Sequence, residues 1–195
     1  MKNLYLISSY TEMLIWLLIP LRQYRSRFFI FFLFPAIAII AVQTLHLFMA
    51  RVNSSFIHFT CLTLSALSII EINKHKTVSW AGFLTLFYTL TTVLFLRYSS
   101  EWRLLLLGGG FVAGFISFEI TKLVINVYTQ KRIFNAFHLL LLVYFFNHFF
   151  SKMMFAFIYD SGSIAGYAFF TIILSIFCGF SFILLREDNR FIFKV

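Results

Sequence analysis

The chain has 195 residues, of which 61% are hydrophobic and 21% aromatic, and it carries a formal net charge of +9. So apolar a composition excludes a soluble domain, which could not fold without exposing patches that water does not tolerate. The expected product is an all-α integral membrane protein: one membrane domain over residues 1–195, built as a bundle of six or seven transmembrane helices with short loops.

The first apolar segment, Leu4–Ile19, reaches only about 24 Å at 1.5 Å per residue, against a hydrocarbon core of about 30 Å. It carries Glu12 near its middle, so it either spans or lies along the interface. Pro20 closes it, and Arg22, Arg25 and Arg27 follow. No small-residue cleavage site precedes that basic cluster, so the segment is expected to persist in the mature protein.

Six longer runs follow, near 28–49, 56–72, 78–96, 104–126, 134–150 and 164–185. Taking the loops alternately, one side holds Arg22, Arg25, Arg27, Lys74, Lys76, Lys131, Arg132, Arg186, Arg190 and Lys194. The other holds only Arg51, Arg97, Arg103 and Lys152, diluted by Glu101 and Asp160. Because cytoplasmic loops keep Lys and Arg, the C-terminus is expected in the cytoplasm, as in a bacterial inner membrane. The positive charge then serves topology and anionic headgroups, and no loop is long enough for a nucleic-acid surface.

Cys61 and Cys178 fall roughly 13 Å apart along the membrane normal by helical rise, too far for a disulfide that needs Cα atoms within about 7 Å. Cys61 shares a helix face with His58 at i to i+3, and Arg97, Arg103 and His148 belong to the same side of the membrane. A thiolate activated by imidazole and arginine can act as a nucleophile. In using Cys, Arg and His at that surface the set resembles the exosortase-like transpeptidases, although Leu62 and Thr63 follow the cysteine where that family has Ser and Gly. The resemblance implies cysteine chemistry on membrane-delivered peptides. His46, His58 and His148, at the ends of three helices, are the alternative metal or haem ligands. No HxxxH or ExxH pair sits on one helix, so no cofactor is predicted from the pattern itself.

The run from Leu104, LLLLGGGFVAGFISFEITKLVIN, is the richest. At 100° per residue Glu119, Lys122 and Asn126 share one face, as candidates for a ligand or ion, while Gly110, Gly114, Ser117 and Thr121 line the opposite one. Gly110 and Gly114 make a GxxxG step for close helix packing. Each buried charge costs about 2.5 to 3.5 kcal/mol on insertion scales, so Glu119 needs a partner, and Lys122 is within reach. Gly114 to Glu119 also resembles the glutamate-bearing helix of the large twin-arginine translocase subunit over about a dozen residues. The long outer loops and proline-rich motifs of that family are missing, and none of its sites is carried over.

Phe, Tyr and Trp fill space between helices and anchor span ends, as Trp80, Trp102 and Tyr167 are placed to do. With no catalytic motif evident, the expectation is a non-catalytic sensory, accessory or scaffold module that binds partner helices, other membrane subunits, a second copy or an apolar ligand. The alternative is a transporter using Glu119, or an enzyme using Cys61 and the histidines.

Overall fold

A computed structural model describes residues 2–47, 54–73, 78–98, 102–157, 161–187 and 192–194. Within them lie α1 (Lys2–Arg22), α2 (Phe29–Leu47), α3 (Ser54–Ile72), α4 (Val78–Arg97), α5 (Trp102–Lys131), β1 (Ile133–Asn135), α6 (Ala136–Phe157), α7 (Ser161–Leu184) and β2 (Ile192–Lys194). Five helices, α3 to α7, are long and apolar enough to cross a membrane, which marks an integral membrane protein. The outward rows agree: on α4, Leu86 and Leu96 are each 68% exposed, a surface suited to hydrocarbon and unsuited to water.

The helices differ from the sequence expectation at their ends. α1 does not close at Pro20 but continues to Arg22, because proline removes only its own N–H and the Gln23 amide still reaches the Ile19 carbonyl at 2.8 Å. α6 runs on to Phe157, which carries Lys152 into the helix rather than into a loop. Nor is the chain purely helical: β1 pairs antiparallel with β2, Phe134 opposite Phe193, and ties the tail to the α5–α6 turn.

Neighbours pack in the order α1, α2, α3, α5, α6, α7 and back to α1, closing a ring of six, with α4 outside against α3 and α5. α1 and α7 run parallel, since Trp16 meets Ser175, Arg22 Nε donates to the Ile183 carbonyl at 3.1 Å and Gln23 Nε2 to the Phe182 carbonyl at 2.8 Å. That pairing leaves α1 flanked on both sides along its length. In α2, Pro35 frees the Phe31 carbonyl, and the Ser65 hydroxyl of α3 reaches it at 3.4 Å. The carbonyl that proline leaves without its intrahelical donor is thereby joined to the neighbouring helix.

The half of the ring nearer the tail is filled with rings. Trp16 packs against Tyr144 at 5.0 Å between centroids, Phe32 against Phe182 at 5.0 Å, and Phe28 and Phe31 against Phe137 and Phe145 at 5.2 Å each, all in tilted or edge-on geometry. Beneath this plug, Arg27 and His138 both hold Glu187, His138 Nε2 lying 3.0 Å from its Oε1, while Asn135 Nδ2 donates to the Glu187 carbonyl at 3.0 Å. Burial raises the Glu187 carboxyl, but the hydrogen bonds and charges of His138 and Arg27 outweigh it and hold it down at about 2.

Candidate functional site

Above the aromatic plug, in the half of the ring away from the tail, the helices part around a cavity of about 190 Å³. α1 contributes Glu12; α2 contributes Pro35 through Gln43; α3 contributes His58, Cys61 and Leu62; α6 contributes Tyr144, Asn147, His148, Ser151 and Lys152; and α7 contributes Thr171 and Ser175. Five helices thus present polar groups to one space inside an apolar bundle. Such groups are costly where lipid surrounds them and are retained where they face a ligand, water or one another.

At the floor, Ser175 is a node. Trp16 Nε1 donates to its hydroxyl at 3.0 Å, and the Glu12 carboxyl and the Tyr144 hydroxyl both lie within its hydrogen-bonding reach. The floor therefore touches the plug directly, since Trp16 and Tyr144 belong to both. Across the cavity, His148 and Lys152 stand one turn apart on α6.

The glycines of α5 border Lys152 and Met153 of α6. A Cβ on Gly109 would sit 3.8 Å from its Cδ and 3.9 Å from Leu62 of α3, and a Cβ on Gly110 would sit 3.0 Å from Met153 and 3.4 Å from the Lys152 Cβ. The lysine stem thus lies in the seam between α5, α6 and α3. Gly114 admits Phe149 in the same way, so the GxxxG step receives α6, as its spacing predicts. Ser117 and Thr121 turn their hydroxyls back to carbonyls of their own helix, at 2.9 and 2.8 Å.

Of the sequence-derived candidates, Cys61, His58 and His148 come together in this cavity. Arg97 does not join them; it is exposed at the end of α4, 5.8 Å from the Tyr98 ring. Arg103 is half-buried near the start of α5 and does not line the cavity. The His46 side chain lies outside the described residues, as do Lys74, His75 and Lys76. Among the described residues no three His, Cys, Asp or Glu side chains are grouped for a metal. Both cysteines are free and buried.

Glu119 is elsewhere. It is 2% exposed, with Lys122 Nζ at 2.6 Å from one carboxylate oxygen and Asn73 Nδ2 donating to the other at 2.9 Å and to its carbonyl at 3.1 Å. Lys122 also stands 4.3 Å from the Phe118 ring. The carboxylate ties the end of α3 to α5 and does not border the cavity. Asn126, one turn beyond Lys122, is exposed and does not share the tie.

Sequence reasoning missed Glu12, Asn147, Lys152 and Ser175. One signal was available: Tyr144, His148 and Lys152 recur every four residues, a polar stripe on one face of an otherwise apolar helix. The chain matches no protein family, no curated protein and no solved structure, so the two local resemblances rest on their own residues.

Proposed function

We propose that the chain is a seven-span protein, for which a bacterial inner membrane is the natural setting, with the start of α1 outside and the tail in the cytoplasm, and that it is a non-catalytic sensory module. A small ligand enters the cavity from the outer half of the membrane, and its presence is felt at the tail. The observation that carries this reading is the vertical order: cavity, aromatic plug, then the Glu187 clasp. Trp16 and Tyr144 link the first two, and Phe28, which packs on both Phe137 and His138 at centroid separations of 5.2 and 6.0 Å, links the plug to the clasp.

Packed rings below the cavity favour binding over passage, because a transported solute needs an opening to each side. The enclosed placement of Glu119 also weakens its candidacy as an ion site. Size narrows the ligand: the cavity, about 190 Å³, is a little larger than the roughly 150 Å³ apolar cavity known to accept benzene, and smaller than the roughly 300 to 1,000 Å³ of drug-sized sites. A macrocycle such as haem exceeds it.

Cysteine chemistry is the second reading, favoured by Cys61, His58 and His148 sharing the cavity. Labelling of Cys61 by a small thiosulfonate, in the full-length protein in mild detergent, tests both. A bound ligand is expected to slow labelling at least fivefold, and the Cys61→Ala variant to keep binding. Loss of binding with Cys61→Ala, together with a covalent adduct on Cys61, would favour the enzyme.

A further inference from the structure

We infer that the ligand of this cavity carries a carboxylate, and that Lys152, supported by His148, is the residue that binds it. The inference rests on the binding reading above and names the ligand class.

Lys152 is the one side chain of the cavity that is a full cation at neutral pH in water, and it is held away from the easy exit. A lysine about five residues from a helix end ordinarily extends toward the interface, where its ammonium stays hydrated. Here Cδ and Cε instead pass over Gly109, next to Leu62 of α3, in the direction of the ring interior. A Cβ on Gly109 would meet the Lys152 stem and Leu62 at ordinary contact distance, and the close approach at Gly110 is to Met153.

The Lys152 ammonium is not held in an internal ion pair. Among the described residues Lys152 forms none, although Glu12 lines the same cavity. Glu12 stands against Ser175 on the floor, whereas the lysine belongs to the wall built by α6, α5 and α3. A cation in a low-dielectric space attracts an anion more strongly than water would allow, and hydrogen bonds between ionised partners are about twice as strong as neutral ones. The Asn147 amide and, one turn from Lys152, the His148 ring line the same cavity. The apolar wall of Pro35, Ile39, Val42 and Phe155 then takes the body of the ligand. A carboxylate with a compact apolar body fits both halves, whether it arrives as a free acid from the aqueous side or as the head of an acyl chain from the bilayer.

Matched pairs of probes separate these points. Binding of benzoate and benzamide, and of decanoate and decanamide, is measured by thermal shift and by native mass spectrometry on the full-length protein in neutral detergent. In at least one pair the acid is expected to bind tenfold or more tightly than its amide, and Lys152→Gln to bring that ratio within about twofold. Preference confined to benzoate identifies a free acid; preference confined to decanoate identifies a ligand from the bilayer. Amides binding as tightly as acids in the wild type would overturn the carboxylate assignment and leave the binding cavity intact. Binding of none of the four would overturn both. Because the acid-to-amide ratio is read in the wild type, the inference stays testable even where Lys152→Gln fails to fold.

Discussion

Three charged groups in this chain do two different jobs, and their surroundings decide which. Glu119 is satisfied on both oxygens by Lys122 and Asn73, which makes it a fastening. Replacing it with leucine leaves the Lys122 ammonium without this acceptor and the Asn73 amide with only the backbone carbonyl, at a cost of about 1 to 3 kcal/mol. Glu119→Leu should therefore lower the unfolding midpoint in detergent while leaving ligand protection of Cys61 unchanged; unaltered stability with lost protection would move Glu119 into the site. Glu187 is a second fastening, outside the spans. Its folded carboxyl titrates at about 2, below the ordinary 4.5, so its stabilisation is complete above pH about 4.5 and is lost as the pH falls through 2. Glu187→Gln should remove that acid-side loss from a plot of unfolding midpoint against pH, and an unchanged slope would refute the clasp. Lys152 is the exception, a cation with space rather than an acid before it.

At the scale of elements, glycine and proline place the helices. Gly179 of α7 is the tightest of the described glycines: a Cβ there would come within 2.5 Å of the Ile15 side chain, with Trp16 and Ile19 at 3.6 Å. Gly179→Val is expected to push α1 away and destabilise the bundle by about 1 to 3 kcal/mol, the usual range for overpacking. It should also raise Cys61 labelling, because α1 supplies one wall of the cavity. A variant with wild-type stability and labelling would mean that α1 is not docked as described. These close approaches were partly legible beforehand. The GxxxG step on α5 pointed to a closely packed neighbour, because small residues at that spacing commonly serve helix packing in membranes, but not to which helix it is. Gly179 announced nothing, being a single glycine in an apolar run, and the length of α1 was misjudged because a proline in the last turn of a helix breaks only one hydrogen bond.

For the molecule as a whole, hydrophobic runs sufficed to find every helix, since the bilayer demands length and apolarity and little else. They could not say which helices touch. Cys61, His58 and His148 were recognisable as a constellation by depth alone, but Arg97 and Arg103 have the same depth and lie outside it, as only lateral packing reveals. Glu12 and Ser175, separated by most of the sequence, meet because α1 closes the ring against α7. That closure also sets the arrangement: α1 and α7 run parallel, so the beginning of α1 and the end of α7 lie at opposite ends of the bundle.

The central claim is a bundle open at one end and plugged at the other. It is tested most directly by labelling its two cysteines with a small, membrane-impermeant thiosulfonate in sealed vesicles of either orientation. Cys61, on the cavity wall, should react from the periplasmic side alone, while Cys178, below Ser175 among the packed rings, should react from neither. Reaction of Cys61 from the cytoplasmic side, or of Cys178 at a comparable rate from either side, would contradict the account.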